Sequence, residues 1–316
     1  MPDEYDPTVG TVGHAPATGG DGADLEFDYF VGNGRNGGHV PVLSTRRPAG
    51  RRQQAIAVGP GSRTGDKTTR PAALTVRLAG RAATGRHPTL RGEHMDIDEA
   101  LYTTRAMRRV KPDPVPMDVQ AKILDAAIRA PSGGNTQNWR FLLVDDQEVI
   151  GRIAPLYHHA IGELWQTVYA DQVAAVEADP DRAENVEWNR IRTSAQWLAD
   201  HFAEVPLFLF AFVQGDPSGG SIYPAVWSAQ LAARAQGVGS SLTAVLGFWH
   251  PDETFEILGV PTDDQWIMAC CVSFGYPTGR WGVAARRPVH EVSYRNRWGS
   301  PIGFTVEAPL WSPESP

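Results

Sequence analysis

Cysteine is scarce in this 316-residue chain: there are two, Cys270 and Cys271, adjacent in the apolar run from Trp266 to Phe274. A bond between neighbouring cysteines demands strained backbone geometry, so both are expected as buried free thiols. That excludes a disulfide framework and a cysteine-based metal site. Long hydrophobic runs are missing as well. Although 42% of the residues are hydrophobic, no run approaches the ~18 apolar residues that cross a bilayer. Excess positive charge is absent too. The formal net charge of -7 argues against a nucleic-acid partner, because phosphate backbones select basic surfaces. With no signal-peptide pattern at the start, a cytoplasmic protein with no membrane partner is expected.

The nine histidines supply no metal motif. His158 and His159 point in different directions on a helix, and no His-x-x-x-His or Glu-paired ligand set occurs. His201, four after Trp197, reads as an ordinary core or surface histidine. There is no Ser-His-Asp order and no nucleophile elbow, so covalent hydrolysis has no support and no catalytic side chain is assigned.

What is present divides the chain. All 10 tryptophans follow Met95, whereas 16 of the 32 glycines precede it. From Arg46 to Arg91 there are 11 basic residues against one acid, Asp66, set among Gly, Pro and Thr without apolar period. That is the composition of a disordered segment, and residues 1–94 are read as a tail. The run Gly32-Asn33-Gly34-Arg35-Asn36-Gly37 spells a dinucleotide fingerprint after a possible strand, Leu25–Val31. A Rossmann site needs a helix opening on the last glycine, yet His39-Val40-Pro41 follows, so the match is read as chance. Met95 stands before the first well-patterned helix and is a candidate true start.

From Met95 onward, Asp96 caps a helix expected to run to about Met107. Pro112, Pro114 and Pro116 postpone the next helix to Met117 or Asp118, and Pro131 ends it at Ala130. Trp139–Val144 reads as a strand, followed by a helix from about Gln147 and a long helix-compatible stretch from Ala160 to Phe202. Within that stretch Trp188 and Trp197 lie nine positions apart, on opposite sides of a helix. Val205–Val213 is a continuous apolar run suited to a central strand. A helix from Pro224 to Gln236 closes at Gly237, Ser240–Leu246 is β-prone, Pro251 opens a short helix that Gly259 ends, and Trp266–Phe274 is the last long strand. Strands alternating with helices over about 220 residues indicate one α+β domain, 95–316, whose Pro-rich end from Pro288 reads as an arm.

Two short stretches carry chemistry. Thr104-Arg105-Ala106-Met107-Arg108-Arg109 holds guanidinium forks able to grip a phosphate, with Arg105 and Arg108 neighbours on one helical face and a further cation available from Arg286 or Arg287. The same arginines suit the C-terminal end of a helix dipole. Pro131-Ser132-Gly133-Gly134-Asn135-Thr136-Gln137-Asn138-Trp139 is a turn of small and amide residues entering a strand, fit for a flat polar-edged ring and equally for an ordinary loop. Gly237-Val238-Gly239-Ser240-Ser241-Leu242-Thr243 follows later, where Thr243 equally suits a plain strand.

In this order, and with Arg286-Arg287-Pro288, these stretches resemble the FMN-dependent nitroreductase family over roughly Met95 to Trp298. The resemblance implies an α/β/α sandwich with a mixed, mostly antiparallel sheet flanked by helices. It also implies a homodimer with the flavin at the subunit interface and the segment Val289–Pro316 crossing the partner. The family's Arg-Arg-Ser-x-Arg falls on Thr104 to Arg108, with Thr104 lacking the first guanidinium and Ala106 the hydroxyl. Its Pro-Ser-x-x-Asn-x-Gln-Pro-Trp falls on Pro131 to Trp139, with Asn138 replacing the proline. Carried over residue by residue, the cofactor contacts are Arg105, Ala106, Arg108, Pro131, Ser132, Asn135, Gln137, Leu242, Thr243 and Arg286. The activity implied is NAD(P)H-dependent reduction of a nitroaromatic, quinone or similar acceptor through non-covalent FMN, with acceptor choice in residues 160–202. The alternatives are other flavin chemistry on the same fold, such as dehalogenation or desaturation, and a non-catalytic flavin-binding redox protein.

Overall fold

A computed structural model describes residues 28–31, 41–44 and 95–312. Strands β1 (Asp28–Val31) and β2 (Pro41–Ser44), in the contact unit of residues 1–91, pair antiparallel. The glycine run 32–37 lies outside the described residues, as does the rest of the expected tail.

In the unit of residues 92–316, α1 spans Ile97–Thr103, with the Asp96 carboxylate accepting from the Asp98 amide at 3.1 Å. It stops short of the expected Met107. The hydroxyls of Thr103 and Thr104 donate to the carbonyls of Glu99 and Ala100 at 2.6 and 2.7 Å, and Thr104 turns extended. Such back-bonding by β-branched residues weakens a helix end. The next helix, α2 (Met117–Ala127), also ends early. The amides of Arg129 and Ala130 turn to Ala126 and Ala127, since Pro131 drives Ala130 out of the α region.

β3 (Trp139–Val144) follows as expected, and Asp146 caps the 20-residue α3 (Gln147–Gln166), accepting from the Glu148 amide at 2.8 Å. The polar stretch after it breaks into α4 (Ala170–Ala178) and α5 (Ala183–Asp200). On α5 the two tryptophans take different neighbours: Trp188 packs edge-on to Trp165 and Tyr169, and Trp197 stacks on His201 at 4.1 Å.

The remaining elements are β4 (Leu207–Val213), α6 (Ile222–Ala235), β5 (Gly239–Thr243), α7 (Val245–Trp249), α8 (Pro251–Leu258) and β6 (Ile267–Gly275). β5 is shorter than its β-prone sequence because Val245 begins a helix. Strand order is β3-β4-β6-β5, antiparallel throughout, and the parallel component is a single bridge, Ala106 to Ser240, among the described residues.

All seven residues of β4 are buried, which fits its unbroken apolar run and its inner position. Burying each Leu, Phe or Val there contributes roughly 1.5–3 kcal/mol. One face of the sheet packs on α2 and α6 through Ile123, Leu209, Ala225 and Phe274; the other packs on α3, α5, α7 and α8 through Ile153, Tyr157, Leu198, Phe208 and Phe255. The result is the three-layer α/β/α sandwich. Among the described residues no helix is long and apolar enough to cross a membrane.

Candidate functional site

Past Thr104 the chain runs alongside β5 instead of continuing α1. The Met107 amide donates to the Ser240 carbonyl at 2.8 Å, the Lys111 amide donates to the Tyr276 carbonyl, and the Thr278 amide donates to the Arg109 carbonyl. The expected placement of Arg105 and Arg108 on one helical face is therefore corrected. Off the helix, the 3.6-residue period that would align residues three apart no longer applies.

The two arginines meet different environments. Arg105 is exposed, and its Nη2 donates to the Arg280 carbonyl at 2.9 Å. Arg108 is half-buried, and burial pushes its pKa down, with Tyr157 acting the other way. Among the described residues its guanidinium has neither a carboxylate nor a hydrogen-bond acceptor. Tyr157, on α3, is buried, and burial raises its pKa well above the usual phenol range, reinforced by Cys271 and opposed by the Thr243 hydroxyl and Arg108. Arg108, Tyr157 and Thr243 thus gather on the α3 side of the β5 edge.

Arg286 lies on the return segment after β6, brought beside α1 by the Ala284 amide donating to the Tyr102 carbonyl at 3.3 Å. Its own Nη1 donates to the adjacent Ala285 carbonyl. The segments carrying Arg105 and Arg286 are neighbours, while their guanidinium groups engage separate carbonyls and are not bridged.

The Pro131–Gln137 turn is built from left-handed backbone: φ is +58° at Gly134, +53° at Asn135 and +52° at Gln137. The Ser132 hydroxyl accepts from the Gln137 amide at 3.2 Å, and the Asn135 side-chain oxygen accepts from the Gln137 side-chain amide at 3.1 Å. Non-glycine residues in that region carry strain of order 1–3 kcal/mol each, and such strain clusters at functional sites. The turn leads into β3, at the opposite edge of the sheet from β5. Three ladder spacings of about 4.8 Å separate those edge strands by roughly 14 Å. Within one chain, then, Arg105, Ala106, Arg108, Leu242 and Thr243 share one edge, Arg286 lies close to it, and Pro131, Ser132, Asn135 and Gln137 occupy the other.

A cavity of about 410 Å³ lies on α5, lined by Asn189, Arg192, Thr193, Gln196, Trp197 and Asp200. It adjoins the arginine segment, since the Arg109 guanidinium sits 5.6 Å from the Trp197 ring centroid. None of the expected cofactor residues lines it, nor the second cavity of about 480 Å³ around Pro112, Gln120 and Glu204. His159 and His250 face each other at 2.8 Å between ring nitrogens, and among the described residues no three His, Cys, Asp or Glu side chains gather as a metal site. Cys270 and Cys271 are buried free thiols on opposite faces of β6.

The nitroreductase family model matches residues 101–276. The chain belongs to the nitroreductase family. The proteins it is similar to differ in their named reactions. An NADH dehydrogenase of Thermus thermophilus is 28% identical over 203 residues, covering 63% of this chain and 95% of that protein. A 5,6-dimethylbenzimidazole synthase of Rhodospirillum rubrum is 27% identical over 61% of this chain and 90% of that protein. An iodotyrosine deiodinase of Danio rerio is 33% identical over 134 residues, 39% of this chain and 38% of that protein.

Sequence reasoning missed Tyr157, Arg234 and the Arg109–Trp197 contact in this nitroreductase-family chain. Arg234 is buried on α6, where it donates to the Thr103 hydroxyl at 2.8 Å and to Glu99 at 2.9 Å and lies 4.1 Å from the centroid of Trp281. The signal available was a charge in the last turn of a helix otherwise patterned with small apolar residues.

Proposed function

We propose that this protein is an FMN-dependent NAD(P)H oxidoreductase acting on a nitroaromatic, quinone or similar electron-poor acceptor, as a homodimer in the cytoplasm. The observation that carries the reading is Arg108: a half-buried cation that lacks a carboxylate or acceptor among the described residues invites an anionic ligand, because an unpaired charge taken out of water is costly. Arg105 and Arg286 bring two further guanidinium groups from adjacent segments, and phosphate suits their fork geometry.

Bound FMN would supply two-electron redox chemistry, taking hydride from the nicotinamide and passing it to the acceptor. The chain's own residues bind and orient. Arg105 and Arg286 would hold the phosphate, Arg108 would favour negative charge on the ring, and Leu242 and Thr243 would form a wall beside it. Ser132, Asn135 and Gln137 offer a hydroxyl and two amides for the ring edge and the ribityl chain, with Pro131 setting the turn and Ala106 leaving room for the backbone. No side chain is assigned as general acid or base.

Because the two halves lie on opposite sheet edges, one chain's turn would complete the other chain's site. Exposed apolar side chains support a second copy as partner: Tyr223 and Trp227 on α6, and Trp298, Phe304 and Leu310 on the C-terminal arm. The arm, residues 289–316, would cross the partner.

Anaerobic mixing of flavin-loaded protein with NADH and then NADPH tests the activity. Bleaching of the bound cofactor, then reoxidation by a nitroaromatic or quinone, is the expected result; no bleaching with either donor favours a non-catalytic flavoprotein. Similarity to the deiodinase favours one second reading, reductive dehalogenation, which halide release from a halophenol would reveal.

A further inference from the structure

The buried side chain of Arg234 reaches two segments that the proposed phosphate grip depends on. From the last turn of α6 it donates Nε to the Thr103 hydroxyl at 2.8 Å and Nη2 to Glu99 at 2.9 Å, both in α1, immediately before Arg105. Its guanidinium face lies 4.1 Å from the ring centroid of Trp281, in the return segment between Arg280 and Arg286. Those segments meet nearby as well, through the Arg105 side chain on the Arg280 carbonyl and the Ala284 amide on the Tyr102 carbonyl.

A guanidinium can do this because its edge and its face bind different things. The in-plane N–H groups suit a hydroxyl and a carboxylate, and the flat face suits an aromatic ring. Lysine offers neither the fork nor the face. The ion pair with Glu99 also makes the buried charge tolerable, since the Arg234 side chain is 7% exposed and an uncompensated cation there would be costly.

Resting on the flavin-binding reading above, we infer that Arg234 is a positioning residue for the phosphate grip, holding the Arg105 and Arg286 segments in register with each other. It does not touch the cofactor in this scheme. Its effect is on the distance between the two arginines that would hold the phosphate, so it is specific to that end of the ligand and silent toward the ring.

Riboflavin lacks the phosphate and separates these contributions. Equilibrium titrations of the full-length apoprotein with FMN and with riboflavin, for wild type and Arg234→Lys, give the ratio of the two affinities. The expected result is FMN affinity lowered by roughly tenfold or more, with riboflavin affinity unchanged. An unchanged ratio, whether both affinities fall together or neither moves, overturns the inference and leaves Arg234 as a core-packing residue. If Arg234→Lys does not fold, Trp281→Leu decides by the same ratio, since it removes the stacking surface and leaves the α1 hydrogen bonds in place. Failure of the underlying reading looks different: wild type then shows no preference for FMN over riboflavin, or Arg105→Ala/Arg286→Ala leaves the preference intact.

Discussion

Met107 donates its amide to the carbonyl of Ser240 at 2.8 Å, which stitches the arginine-rich segment to the β5 edge. The bond holds the segment that carries Arg105 and Arg108 against the sheet. It takes residues 105–109 off the helix, so that Arg105 remains exposed and Arg108 lies half-buried near Tyr157.

Arg108 should be a residue that the empty protein does better without. Arg108→Met removes a desolvated charge and is expected to leave the thermal midpoint of the apoprotein unchanged or higher. FMN affinity should fall by roughly ten- to a hundredfold, as loss of a charge-assisted hydrogen bond of about 1.5–3 kcal/mol implies. Thermal denaturation and flavin-fluorescence titration measure the two effects. A large loss of apoprotein stability would show that Arg108 has a structural partner instead.

Adjacent glycines in the Ser132 turn should respond oppositely. Gly134 has φ of +58° and only the Thr136 methyl group, at 3.7 Å, near an added Cβ, so the obstacle there is conformational. Gly134→Ala should cost about 1 kcal/mol through left-handed strain. At Gly133 φ is ordinary and nothing lies within 4 Å of the added carbon. Gly133→Ala should be neutral or stabilise by up to about 1 kcal/mol by restricting the unfolded chain. Chemical denaturation of the apoproteins checks both signs.

The buried thiols predict alkaline sensitivity. Burial pushes the Cys270 thiol up to about 12 and the Cys271 thiol higher still. Folding keeps both protonated, so their contribution is complete below the unfolded thiol pKa of about 8.5 and is lost as pH rises beyond it. Unfolding free energies from urea denaturation at pH 8 and pH 10 should therefore differ by on the order of 1–2 kcal/mol per thiol, and by less in Cys270→Ala/Cys271→Ala. Native protein at pH 8 should also resist iodoacetamide at both positions, as read by intact mass.

A site divided between opposite sheet edges predicts complementation. Arg108→Ala damages one half and Asn135→Ala the other, and homodimers of either variant should bind flavin poorly. In a mixed dimer one of the two sites receives both intact halves. Purified, differently tagged mixed dimers should regain flavin at one site, while no recovery would mean that each chain builds its own site.

Much of the sandwich was legible because its signals are local. Trp139–Val144 has the length and residues of a strand between turn signals, and Leu207–Val213 is an unbroken apolar run that only an inner strand can bury. Helix ends were less legible. The stop at Thr103 depends on threonine hydroxyls folding back and on a distant β5 carbonyl capturing Met107, and only the first of these is visible nearby in sequence. The same limit hid Arg234. Its partners Glu99 and Trp281 lie 135 and 47 positions away in sequence, and no periodic pattern links such residues. The motif residues were found by resemblance, while their division between two edges follows from strand order, which spacing does not encode.

The central claim is that separate arginines hold the phosphate of a flavin nucleotide, and the FMN-to-riboflavin affinity ratio of Arg105→Ala/Arg286→Ala tests it most directly. The ratio should collapse toward unity while the protein stays folded, with riboflavin binding retained. Full FMN affinity, with the wild-type ratio intact in the folded double variant, would contradict it.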